Sequence, residues 1–184
     1  MNIAPLGREA TVEDLYQVGD KAEIVNGELV LMSPTGDDPG TAAANIMVSL
    51  KLHERAHGGG RAYGDNVGFI VDLPRRRSFS PDTGWYKGPR AGGKFLDGAP
   101  AFAVEVRSEG DYGPAAERKM AAKRADYFAA GTQVVWDVDV LREEVVRVYR
   151  ASDPEHPTVY RRGEMAEAEP AVEGWRIPVD ELWL

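Results

Sequence analysis

Residues Ala101–Asp139 read AFAVEVRSEGDYGPAAERKMAAKRADYFAAGTQVVWDVD, and the fold turns on how they are parsed. An apolar run, Ala101 to Val104, ends in the charged residue Glu105. A loop marked by Gly110, Gly113 and Pro114 follows, then an Ala- and Lys-rich stretch of helical character. A second apolar run begins at Val134. Strand, loop, helix and strand in that order predict a parallel crossover and an α/β sheet. Pro114 suits the first helical turn, where its missing N–H is not needed. Gly131 suits the end of the helix, where a left-handed residue closes the last turn. A carboxylate at the end of a buried strand is costly unless a cation offsets it. Lys119 and Lys123, one helical turn apart, are the nearest candidates.

Working outward, Glu23–Met32 (EIVNGELVLM) places two short apolar runs around Asn26–Gly27. Both turn residues must accept positive φ, so the stretch predicts a β-hairpin. Thr11 can cap a short helix with acids in its first turn, and residues 1–10 before it are expected to be unstructured. Ser33–Gly40 (SPTGDDPG) reads as a loop. Thr41–His57 has the apolar spacing of one helical face, through Ala43, Ile46, Met47 and Leu50, and Gly58-Gly59-Gly60 ends it. Arg61–Leu73 is strand-like, with Gly64 and Gly68 suggesting a bend or bulge. Thr83–Tyr86 can start another strand. Gln133–Tyr149 predicts a hairpin around Val140–Glu143. The tail carries a strand near Thr158–Arg161 and late apolar anchors at Trp175, Ile177, Leu182 and Trp183.

The 184 residues show no linker and no repeat, so a single domain spanning 1–184 is expected. The absence of cysteine removes a disulfide framework, a thiolate zinc site and a cysteine nucleophile together. No signal-like N-terminal pattern and no apolar run of membrane-spanning length is found, which points to a soluble cytoplasmic protein. The net charge of −8, from 22 basic and 30 acidic residues, argues against a nucleic-acid binder when taken whole. The charge is uneven, however. Residues 1–74 carry 5 basic and 11 acidic groups, and residues 137–184 carry 6 and 12, whereas residues 75–136 carry 11 and 7. One reading is a basic working face on an acidic body; the other is a local fluctuation of composition.

The basic third also holds Pro81–Asp82 and Glu105. Phosphodiester hydrolysis needs charge neutralised on phosphate oxygens and an activated water. Mg²⁺ or Mn²⁺ supplies both when carboxylates on adjacent strand ends hold it, and a neighbouring lysine can steer the water. Asp82, Glu105 and Lys123 are of the right types, and Glu105 falls at the carboxyl end of a strand, where α/β sheets place their sites. Each also has a plain reading. Asp82 can be a turn residue after proline, Glu105 can pair with Arg107, Lys119 and Lys123 can be a solvated helix face, and Glu28 can be an ordinary strand residue. His53 and His57 are spaced i,i+4 but lack a third ligand for a metal. No phosphate loop and no nucleophile elbow is present.

Taken in order, Glu23–Val30 (EIVNGELV), Ser33–Gly36 (SPTG), Pro81–Asp82, Val104–Ser108 (VEVRS), Lys123–Gly131 (KRADYFAAG) and Val134–Asp139 (VVWDVD) closely resemble the Uma-two-type family. That family lies within the PD-(D/E)XK restriction-endonuclease-like superfamily. The resemblance covers nearly the whole chain. It implies a restriction-endonuclease-like core: a central mixed β-sheet flanked by helices, with an N-terminal hairpin and a C-terminal β extension. It implies an endonuclease acting on DNA with Mg²⁺ or Mn²⁺. Asp82 takes the place of the motif aspartate and Glu105 that of the second acid, both as metal ligands. Lys123 matches the lysine, moved from strand to helix. Glu28 and Glu23 are accessory acids, and Tyr127 packs or hydrogen-bonds beside the lysine. Arg75, Arg76, Arg77, Lys87, Arg107 and Lys119 are expected to contact nucleic acid, with Arg90 and Lys94 nearby, and a homodimer is expected by analogy. Two positions depart from the pattern. Arg107 stands where the superfamily has its strand lysine, and arginine stays protonated and cannot serve as a base. No histidine follows Ser33-Pro34-Thr35-Gly36. The alternative is a non-catalytic binding or assembly module on the same fold.

Overall fold

The computed structural model describes residues 2–4 and 6–184, with side chains from Leu6 onward. The elements run in the order β1 (Asn2–Ala4), α1 (Val12–Gln17), β2 (Ala22–Val25), β3 (Glu28–Leu31) and α2 (Asp37–His57). Five short strands follow: β4 (Arg61–Tyr63), β5 (Phe69–Ile70), β6 (Ser78–Phe79), β7 (Thr83–Tyr86) and β8 (Leu96–Asp97). The decisive stretch supplies β9 (Phe102–Val106), α3 (Pro114–Ala129) and β10 (Val134–Asp139). The remainder is strand: β11 (Val145–Arg150), β12 (Asp153–Arg161), β13 (Met165–Glu167) and β14 (Arg176–Pro178), closed by a 3₁₀ turn over Val179–Trp183.

The central sheet has six strands in the order β12-β11-β10-β9-β7-β4. Strands β9 and β10 pair in parallel and the other neighbours pair antiparallel, so the sheet is mixed. The parallel pair is the one joined by α3, as a crossover requires. Pro114 opens that helix behind Gly113 (φ +89°), and Gly131 (φ +100°) follows its end. Successive side chains in a strand point to opposite faces. Phe102, Val104 and Val106 on β9, with Val134, Trp136 and Val138 on β10, therefore share one face. They pack there with Ala42, Ile46 and Leu50 of α2 and with Trp175, Ile177 and Leu182 of the tail. The alternate residues Ala103 and Val135 face the other way and join Tyr127 of α3, Phe79 and Phe69. The polar residues Glu105, Arg107, Asp137 and Asp139 share the periodicity of this second face, so one side of the sheet is oily and the other carries charge toward α3.

The N-terminal hairpin forms as read, with Asn26 and Gly27 at φ +51° and +75°. Four expectations are corrected. Helix α2 starts at Asp37, four residues before Thr41, so DDPG is its first turn and not a loop. Asp37 and Asp38 favour the positive end of the helix dipole, and Pro39 needs no N–H bond in the first turn. Arg61–Leu73 is not one strand: β4 belongs to the central sheet, while β5 joins a small sheet with β6 and β8. β12 spans Asp153–Arg161, because pairing with β11 carries it past Pro154 and Pro157; it ends the sheet, where proline is tolerated. In the N-terminal stretch read as unstructured, Asn2–Ala4 pairs with β3, while Met1 and Pro5 lie outside the described residues.

Candidate functional site

Strand β7 lies antiparallel beside β9 with Thr83 opposite Val104, which places Asp82 next to Glu105 across the ladder. Backbone bonds fix this end of the pair. Asp82 donates its N–H to the Val104 carbonyl at 3.1 Å, and its Oδ2 accepts the Val106 N–H at 2.8 Å. Asp82 Oδ1 accepts a bond from the Lys21 ammonium at 2.8 Å. Glu105 is gripped from α3. Lys123 Nζ donates to its carboxylate at 2.8 Å, and the Tyr127 hydroxyl donates to Oε1 at 2.7 Å. Lys123 and Tyr127 are four residues apart and so lie on one helix face. The Tyr127 ring is held by a stack on Phe79 with centroids 4.0 Å apart.

The same ammonium reaches Glu23 Oε1 of β2 at 2.9 Å. Glu23 also accepts the Ser80 N–H at 2.8 Å and a bond from Arg76. Arg76 in turn donates Nε to Asp126 of α3 at 2.8 Å, and its guanidinium lies 4.8 Å over the Phe79 ring. The hairpin, the β6–β7 segment, β9 and α3 thus meet at one chain of acids and cations. Solvent reaches it: the side chains of Asp82, Lys123 and Glu105 are 16%, 19% and 29% exposed, against 4% for Glu23. A cleft of about 40 Å³ lies alongside, lined by Glu105, Met120, Lys123, Tyr127 and Asp137 among others.

The electrostatics differ residue by residue. Burial pushes the Glu105 pKa up, and the charges of Asp82 and Glu23 add to that against the pull of Lys123. Burial acts in the same sense on Glu23, but Lys123, Arg76 and the Ser80 N–H outweigh it and hold its pKa below the usual range. Burial alone would lower the Lys123 pKa. Glu105 and Glu23 reverse that, so the amine stays an ammonium at neutral pH. Tyr127 is pushed well up by burial and the adjoining carboxylates, and remains a donor.

A profile of the family Uma2, described as "Putative restriction endonuclease", matches residues 10–180. The chain belongs to this family. A search of curated proteins finds no match. Among solved structures, the chain is similar to a crystal structure described as a putative nuclease belonging to DUF820 from Anabaena variabilis ATCC 29413. The identity is 15% and the TM-score 0.73, over 95% of this chain and 97% of that one. At that identity the likeness shows the fold.

In this Uma2 chain the residues singled out from sequence divide into two groups. Asp82, Glu105, Lys123 and Tyr127 are brought together. Glu28 is not: it is exposed at the turn end of the hairpin, opposite Val25, and Glu23 is the hairpin acid that reaches the cluster. Arg107 does not pair with Glu105. Its guanidinium, expected to contact nucleic acid, is buried on Asp137 at 2.6 and 2.7 Å and on Glu117 of α3. Arg76 is likewise buried and committed to Glu23 and Asp126. Arg75, Arg77, Lys87, Arg90, Lys94 and Lys119 are exposed, Arg77 in a pair with Asp72. His53 and His57 stack on each other, centroids 4.4 Å apart. Sequence reasoning missed Lys21, whose only signal is a cation two residues before Glu23.

The donors able to hold a cation are carboxylate oxygens of Asp82 and Glu105. Among the described residues no three His, Cys, Asp or Glu side chains gather closely enough to hold an ion unaided. Two carboxylates fit a hard divalent cation such as Mg²⁺, which keeps waters and completes its shell with substrate oxygens.

Proposed function

We propose that this chain is a Mg²⁺- or Mn²⁺-dependent endonuclease that hydrolyses DNA phosphodiester bonds, acting in the cytoplasm as a single-domain protomer of a symmetric dimer. The observation that carries the reading is Asp82 and Glu105 side by side on adjacent strands, with the Lys123 ammonium on Glu105. A divalent ion held by the two carboxylates supplies charge neutralisation at the phosphate and a more acidic water. Lys123 is a donor and not a base: its raised pKa keeps the proton on, so it orients water or a phosphate oxygen. Tyr127 fixes Glu105 through Oε1. Glu23 positions Lys123 from behind. The exposed residues Arg75, Lys87, Arg90, Lys94 and Lys119 would meet the DNA backbone. The test is nicking of supercoiled plasmid with Mn²⁺ by the wild type and by Asp82→Ala. Loss of nicking in the variant is expected. Equal nicking by the two proteins would remove Asp82 from the chemistry.

One observation favours the alternative of a non-catalytic module: each acid of the cluster already has a cationic partner, Asp82 with Lys21, Glu105 with Lys123, and Glu23 with Arg76. Under that reading the acids are structural. Calorimetric titration with Mn²⁺ would then show no binding, and metal would leave the melting temperature unchanged.

A further inference from the structure

The two lysines of the cluster are anchored differently. Lys123 projects from the third turn of α3 and is clamped between Glu105 and the buried Glu23. Lys21 stands just before β2, and its ammonium bridges Asp82 Oδ1 at 2.8 Å and Asp65 Oδ1 at 2.5 Å. Asp65 lies in the exposed turn after β4, with its side chain 54% open to solvent, against 16% for Asp82. Asp82 Oδ2 is taken by the Val106 N–H. Oδ1 carries no backbone bond, and a tethered ammonium holds it.

Resting on the metal-dependent reading above, we propose that Lys21 is a displaceable counter-cation: it neutralises Asp82 until a divalent ion arrives, then withdraws onto Asp65. A lysine has a flexible four-carbon stem and three equivalent donors, so it can let go of one carboxylate while keeping the other. An arginine clamped in two-point bonds could not do so as readily. Asp82, Asp65 and Lys21 together carry a charge of −1 before the exchange and +1 with the divalent ion in place. Before the exchange the ammonium covers two aspartates; after it, the divalent ion serves Asp82 and the ammonium serves Asp65. Lys21 thereby lowers the affinity for the ion and spares Asp82 from standing uncompensated beside Glu105. The device sets how much free metal the site requires.

The test is calorimetric titration of the full chain with MnCl₂ at neutral pH, on the wild type, Lys21→Met, Asp65→Asn and Asp82→Asn. Removing the competing charge should tighten Mn²⁺ binding in Lys21→Met by about tenfold, the equivalent of one modest ion pair. Removing the acceptor in Asp65→Asn should weaken it about two- to fivefold, because the ammonium then has only Asp82. Binding that Asp82→Asn abolishes but Lys21→Met leaves equal or weaker overturns this inference and leaves the metal-dependent reading standing. No binding by any of the four proteins overturns both. If Lys21→Met does not fold, the wild type still decides by NMR of ¹⁵N-labelled lysine side chains during Mg²⁺ titration. The Lys21 ammonium resonance should move with saturation, and a Lys21 signal unmoved at saturating Mg²⁺ overturns the exchange.

Discussion

Tyr127 illustrates how much of the cluster is set by single atoms. Its ring is fully buried against Phe79, and its hydroxyl has one carboxylate to bond. Tyr127→Phe keeps the packing and deletes the bond, so a loss of about 1 kcal/mol is expected in urea unfolding. Glu23 has a larger stake because it answers two buried cations. Glu23→Gln should cost about 1.5–3 kcal/mol at pH 7, since it leaves Arg76 with Asp126 and Lys123 with Glu105 as their remaining acids. The sign with pH follows from its lowered pKa. An acid whose folded pKa is depressed stabilises the fold above its unfolded value, and that contribution is lost as pH falls. The gap between wild type and Glu23→Gln should therefore narrow from pH 7 to below the ordinary glutamate range, as read by unfolding midpoints at each pH. A gap constant with pH would mean that folding leaves the Glu23 pKa unshifted.

At the scale of elements, helix α2 and strand β7 meet through a glycine. A Cβ on Gly60 would sit 2.3 Å from Nε1 of Trp85, which is itself buried in the core. Gly60→Ala must push either the tryptophan or the start of β4, and a loss of about 1–3 kcal/mol is expected from thermal unfolding, as for other overpacked sites. Gly58-Gly59-Gly60 was legible from sequence only as a helix stop; its role as the slot for Trp85 needs the tertiary neighbour. The same limit separates the elements read correctly from those that were not. The β9–α3–β10 crossover and the β2–β3 hairpin declare themselves through local punctuation, Pro114, Gly131 and Asn26–Gly27. The first turn of α2 looked like a loop because Pro39 and Gly40 carry loop statistics, while their position at a helix start removes the penalty. β4 and β5 looked like one strand because nothing in Arg61–Leu73 says that its two ends join different sheets.

For the whole molecule, the distribution of charge matters more than its sum. The acidic terminal thirds enclose a basic middle third, and several of that third's cations are exposed. If they meet DNA, affinity for a labelled duplex should fall steeply with salt, and Lys87→Ala with Lys119→Ala should flatten the log–log slope by about two. A slope unchanged by the double substitution would place the contact elsewhere. Glu105 and Lys123 were legible because they sit at recognisable points of the crossover pattern, and Asp82 because Pro81–Asp82 matches the family pattern. The partners of Arg76 and Arg107 were not, because a buried arginine and a phosphate-binding arginine look alike in one dimension. Only the fold reveals that Glu23, Asp126, Asp137 and Glu117 claim those guanidinium groups first.

The crossover between β9 and β10 is at once the seam of the central sheet and the arm that carries Lys123. Cutting the chain at a new place would treat these two roles unequally. A cut in the tight turn between β10 and β11 leaves seam and arm in one covalent piece. A cut between Ser108 and Gly113 ties the arm at its far end only, so play would be greatest where Glu117 meets Arg107. It would be least at Lys123, nearer the retained attachment. The cluster should outlast the helix start that leads into it.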